Sequence, residues 1–191
     1  MAAQRTWLPV DQVTHGAMNA EVRDRLNAQY GPPCFELRQT ATYAATRASE
    51  IIARPVMFNA KYFDASYDGS VMVPAGAGPW SYVTVMIPGT YLILAQTAWP
   101  GSADGKMRYL GAYLDQQVAA GGAMDDTARI TYQTEYAESD ATMPSSLDLE
   151  IEFQLGAGNT VQLGMFQNSG NAMNIDPGAD RFFFQMIRLS D

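Results

Sequence analysis

Covalent or acid–base chemistry would need a nucleophile beside a base, and the only histidine in the chain is His15. It opens a stretch patterned as a helix, far from any pattern that builds a pocket, so it is expected as an exposed or interface residue of the first helical turn. The only cysteine is Cys34, expected as a small buried or half-buried side chain. One histidine and one cysteine at distant positions cannot supply the three or four soft ligands of a zinc site. No metal site is expected.

Carboxylates are more numerous. Asp125 and Asp126 with Glu135, Glu138 and Asp140 could gather around calcium, but calcium loops alternate carboxylates with glycine and carbonyl donors at tight spacing, and no such run occurs. Glu150 and Glu152 share one face of a strand at a separation of about 7 Å, which on spacing alone would suit glycoside hydrolysis. An active pair also needs a cleft and a raised pKa, so these two are expected as the polar face of a regular strand. Gly76-Ala77-Gly78 and Gly156-Ala157-Gly158 lack the strand-to-helix context and the Lys-Ser or Lys-Thr ending of a phosphate loop, and read as turns. The expectation is therefore no catalytic residue, no cofactor and no enzyme.

Bulk composition narrows the partners. The 191 residues carry a net charge of −8 and only twelve scattered basic side chains, which disfavours nucleic acid. Apolar residues reach 47% and charged ones 17%, so the chain can build a core while leaving weakly charged surface for other subunits. No apolar run approaches the roughly 18 residues of a membrane span, and the start MAAQRTWLPVDQ lacks the apolar stretch of a secretory signal. A soluble chain made in the cytoplasm is expected, without membrane insertion. A single cysteine leaves no internal disulfide, so stability must come from packing and oligomerisation.

Two regions position these residues. Residues 1–33 end at Gly31-Pro32-Pro33, which stops a helix. Thr14 can cap a helix through HGAMNAEVRDRLNAQY, with Met18, Val22 and Leu26 along one narrow stripe. A helix of about a dozen residues is marginal alone, so this one is expected to be stabilised by docking on its own domain, on copies of itself or on another protein. Residues 34–191 change to a period of two. Leu147 to Leu155 places five apolar residues against four polar ones, and Thr160 to Gln167 follows a Gly-rich turn, a pair expected as a hairpin or sheet corner. Further strands are expected at Cys34 to Thr40, Ile51 to Phe63 broken at Pro55, Ser81 to Ile87, Thr90 to Trp99, Met107 to Leu114, Ala128 to Tyr136 and Arg181 to Leu189. Loops are expected at Val73 to Trp80, Pro100 to Gly105 and Ala119 to Asp126. Eight to ten strands without a helix among them predict an all-β antiparallel jelly-roll sandwich preceded by a short α-helical arm.

Two resemblances extend this reading. In the arm, Arg5-Thr6-Trp7, Val13-Thr14, Met18-Asn19, Glu21-Val22-Arg23-Asp24 and Leu26-Asn27-Ala28 resemble the opening of structural proteins from phages of actinobacteria and related hosts, except that His15-Gly16 stands where small apolar residues are commoner. Further on, Ile87-Pro88-Gly89-Thr90-Tyr91-Leu92, Arg108 and Leu110, Leu155 through Leu163, Gln167-Asn168-Ser169-Gly170 and Arg181 through Leu189 are similar to the trimeric jelly roll of the complement-head and tumour-necrosis-factor superfamily. Asn159 replaces that family's usual Asp.

The resemblances imply a non-enzymatic structural protein of a bacteriophage virion, assembled in the host bacterial cytoplasm: a homotrimeric tail, tail-tip or fibre protein. Its arm residues Trp7, Met18, Val22 and Leu26 would dock on other phage structural proteins. A capsid decoration or head-fibre protein is the neighbouring alternative, and an envelope-glycan hydrolase is the alternative of another class. Tyr91, Phe182, Phe183 and Phe184 are expected at the trimer interface. Contact with a host surface glycan is expected in the end loops, at Trp80, Trp99 to Lys106 and Ala119 to Asp126.

Overall fold

A computed structural model describes residues 34–44, 52–62, 72–74, 78–100, 106–136, 145–170, 174–175 and 182–190. The arm, with Trp7, His15, Met18, Val22 and Leu26, lies outside the described residues. Thirteen strands occur among the described residues: β1 (Cys34–Arg38), β2 (Tyr43–Ala44), β3 (Arg54–Pro55), β4 (Ala60–Tyr62), β5 (Met72–Pro74), β6 (Tyr82–Val85), β7 (Gly89–Trp99), β8 (Met107–Leu114), β9 (Arg129–Tyr136), β10 (Ser145–Leu155), β11 (Thr160–Gln167), β12 (Asn174–Ile175) and β13 (Phe183–Ser190). One turn of 3-10 helix, Asp126–Ala128, precedes β9.

They form two antiparallel sheets. The five-stranded sheet runs β10-β7-β13-β1-β4, and the six-stranded sheet runs β5-β6-β11-β8-β9, with β3 also paired to β11. A small pair, β12-β2, stands apart from both. The long strands β7 and β10 pair over their whole length, from Ser145 opposite Trp99 to Leu155 opposite Gly89. β10 and β11 therefore belong to different sheets, and Gly156 to Asn159 make a sheet corner and not a hairpin. Alternation decides this: one face of each strand must reach the shared core, and the two sheets supply the two walls.

Period-two sequence becomes period-two burial. In β7, Tyr91, Ile93 and Ala95 are buried and Leu92 and Leu94 are half-buried. From the other wall come Val83, Val85, Leu110, Ala112, Val161, Leu163 and Met165. The aromatic centre of the core is Phe58, packed at ring distances of 5.7 Å from Phe182 and 6.1 Å from Phe184, with Phe35 edge-on to Phe184 at 5.7 Å.

The stretch 51–63 departs from a single broken strand. Its β3 joins β11 in one sheet while its β4 joins β1 in the other, and a bridge between Phe58 and Trp80 lies between them. Pro55 lacks a donor, so it suits the short, marginal β3. Met72–Pro74 pairs with β6, so part of the expected loop from Val73 is an edge strand ending in a proline.

Truncating the centre of one wall tests this packing. Ile93→Ala should lower unfolding free energy by about 2–5 kcal/mol, read from denaturant unfolding, while Glu150→Ala on the solvent face should change it by under about 0.5 kcal/mol.

Candidate functional site

The strand alternation redistributes the expected interface residues. Tyr91, Phe182 and Phe184 have 0%, 2% and 0% of their surface exposed, so they are corrected from interface to core. The motif tyrosine acts locally, because the Tyr91 hydroxyl donates to the Ile87 carbonyl at 2.5 Å, and Arg188 donates to Pro88 at 3.0 Å, closing the corner that starts β7. Phe183 points the other way and is half-buried. It shares the outer face of the five-stranded sheet with Leu92, Leu94 and Ile187, where Leu92 lies opposite Ile187 and Phe183 opposite Gln96. Cys34 continues this row beside Ile187, and burial raises its thiol pKa, with Glu36 adding to the rise. At the β10 edge the face ends in Asp148, Glu150 and Glu152, all exposed.

Trp99 is also corrected. It is fully buried, with the Arg108 guanidinium 5.9 Å from its ring, so it closes one end of the core and cannot meet a sugar. Trp80 is half-buried, exchanges two 2.8 Å backbone bonds with Phe58 and carries Lys61 at 5.9 Å from its ring.

The loop after β8 is held down on the outer face of the six-stranded sheet. Gln116 donates to the Asp125 carbonyl at 2.7 Å and accepts from its amide at 2.9 Å. Gln162 makes the same paired contact with Val118, at 2.8 and 2.9 Å. Met124 N–H bonds Ala53 at 2.9 Å, and Arg54 donates to Gly121 at 2.8 Å. Two amide side chains thus imitate strand pairing for a loop that has none. The Asp125 carboxylate accepts from the Thr127 amide and hydroxyl, which holds its pKa below the usual aspartate range.

Beneath and beside this loop lies an aromatic layer that the sequence reading missed. Tyr109 stacks on Phe166 at 4.6 Å and on Tyr132 at 5.7 Å, and its hydroxyl is 2.8 Å from that of Tyr113. The rings fit because Gly111 and Gly164 are register partners. A Cβ on Gly111 would lie 2.5 Å from the Tyr109 hydroxyl, and one on Gly164 would lie 2.9 Å from the Tyr113 ring. A glycine inside each of two strand patterns was the available signal for this close approach. Arg129 pairs with Asp126 at 2.8 Å and lies 4.3 Å from the Tyr132 ring. Among the described residues, no group of three His, Cys, Asp or Glu side chains is placed to hold a metal ion.

The corner before β11 explains Asn159. Its carbonyl oxygen accepts from Gly156 N–H at 2.6 Å, and its amide donates to both carboxylate oxygens of Asp115 at 3.0 and 2.9 Å. Asp115 also accepts from Thr160 N–H at 2.9 Å and adopts φ 53°. An aspartate at 159 could not donate, so Asn suits a corner whose anion is supplied by Asp115.

Neither a protein-family model nor a curated protein matches the chain. Solved structures do. Murine APRIL, crystallised at pH 5.0, is similar with a TM-score of 0.54 and 16% identity over 83% of this chain and 99% of that one. Eiger TNF from S. frugiperda gives 0.53 and 16% over 84% of this chain and 94% of that one. The chain folds as an antiparallel jelly roll. At 16% identity the likeness establishes the fold.

Two measurements check this geometry. Asn159→Asp sets two carboxylates against each other and should cost about 1–2 kcal/mol at pH 7, recovering as pH falls through the carboxylate range. Burial, then the Tyr109 hydroxyl, pushes the Tyr113 phenol far above the usual tyrosine range. The folded jelly roll therefore holds that proton more tightly than the unfolded chain, and stability should fall as pH rises beyond about 10. Phenolate absorbance should show Tyr113 ionising only with unfolding.

Proposed function

We propose that this chain is a non-enzymatic structural protein of a tailed-phage particle, a homotrimer of jelly rolls whose residues 1–33 attach it to neighbouring particle proteins. The observation that carries the self-association is the outer face of the five-stranded sheet. Leu92, Leu94, Phe183 and Ile187 lie together at its centre, pointing away from the chain's own core. Such a row loses contact with water only when something covers it, and three copies around one axis can cover it in a closed ring. The resemblance of the jelly-roll sequence to a trimeric superfamily supports three as the number.

The phage assignment rests on the arm's resemblance. The non-enzymatic reading is supported by Glu150 and Glu152, which stand exposed on the solvent side of a regular strand. A regular strand face suits scaffolding and binding better than hydrolysis.

Sedimentation equilibrium on the whole chain should give the mass of three copies at micromolar concentration. Leu94→Asp with Ile187→Asp should give monomers that keep the circular dichroism of the parent. A parent that sediments as a monomer would end the trimer reading. Removing residues 1–31 should leave the trimer intact but absent from purified particles, and normal incorporation would end the docking role of the arm.

A further inference from the structure

Beyond that reading, we infer that the outward row Tyr132, Thr134 and Tyr136 on β9 is a contact site for a neutral glycan chain. The three residues alternate along one strand, so they share a face, and the two tyrosines are about 13 Å apart at 3.3 Å per residue. They lie opposite Gly111, Tyr109 and Met107 of β8. Tyr132 is 49% and Tyr136 67% exposed, which sets them apart from Trp99 and half-buried Trp80.

Three observations select the ligand. The first is order: Tyr132 extends the stack that Tyr109 makes with Phe166, and Arg129 lies 4.3 Å from its ring. A ring fixed before contact loses little entropy on binding, and the half of Tyr132 left exposed, with the more open Tyr136, can meet the C–H face of a pyranose. The second is charge: Arg129 is paired with Asp126 at 2.8 Å, leaving the row close to neutral. A phosphorylated or sulfated chain would find no cluster of cations there. The third is area. Two tyrosines bury at most about 500 Å² between them, well short of the roughly 800 Å² per partner of a stable protein interface, and the residue between them is a threonine. A sugar chain needs less: a ring under one unit, a hydroxyl beside the next, and a second ring further on.

The test uses the full chain and a panel of neutral β-linked gluco- and galacto-oligosaccharides, followed by saturation-transfer NMR from the tyrosine ring protons. Transfer to the sugar ring protons is expected for at least one series. Tyr136→Ala, whose side chain is the more exposed of the two, should weaken that binding about tenfold, as loss of one stacking contact does. Tyr132→Ala should weaken it further and Tyr132→Phe should keep it. The site is refuted if no member of the panel binds, or if Tyr132→Ala with Tyr136→Ala binds as the parent does. A change in sedimentation mass in that double variant would also refute it, by making the occupant a second copy. The Leu94→Asp, Ile187→Asp variant should retain sugar binding, so failure of the trimer and failure of this site are read separately.

Discussion

Strand β11 is buried at all eight of its positions, and the rest of the structure depends on how its two faces are covered. Val161, Leu163 and Met165 face the five-stranded sheet and join the main core. Gln162, Gly164 and Phe166 face outward, where a sheet of this kind ordinarily meets water. Covering them takes a second layer: the loop after β8, held by Gln116 and Gln162, and the aromatic cluster of Tyr109, Tyr113, Met124 and Phe166. A buried backbone needs its donors and acceptors met, and the two glutamine amides meet those of a loop that has no strand partner.

That second layer makes the two outer faces of the jelly roll unlike. The five-stranded sheet presents a half-buried apolar row with no second layer over it among the described residues, bordered by the acidic edge of β10. The six-stranded sheet presents a roofed face whose exposed aromatics are confined to the strand at its rim. The proposed self-association and the proposed glycan contact therefore lie on different faces of one small domain, so substitution at the rim need not disturb the other face. The corner built from Asp115, Asn159 and Thr160 connects the two, since it fixes both the start of β11 and the loop laid over it.

The sandwich was legible in the sequence because strands announce themselves by period. Leu147 to Leu155 and Thr160 to Gln167 were readable as strands from alternation and a Gly-rich break, and Met107 to Leu114 occupies the expected span. The two-residue strands β2 and β12 were not readable, since two residues carry no period. Nor was the division of 51–63 between sheets, which depends on where β1 and β11 lie and not on anything within the segment.

The site residues divide along the same physical line. Sequence by itself determined that Phe182, Phe183 and Phe184 could not all face one way, because side chains alternate along a strand. Only the tertiary structure decided that two of the three face inward, since the direction is set by which wall Phe35 and Phe58 supply. Sequence also determined that the chain has one histidine, one cysteine and few charges, and so which chemistries it lacks residues for. It could not tell the buried Trp99 from the open Tyr136, because composition fixes how much apolar surface a chain carries, whereas exposure depends on what the fold lays against each ring.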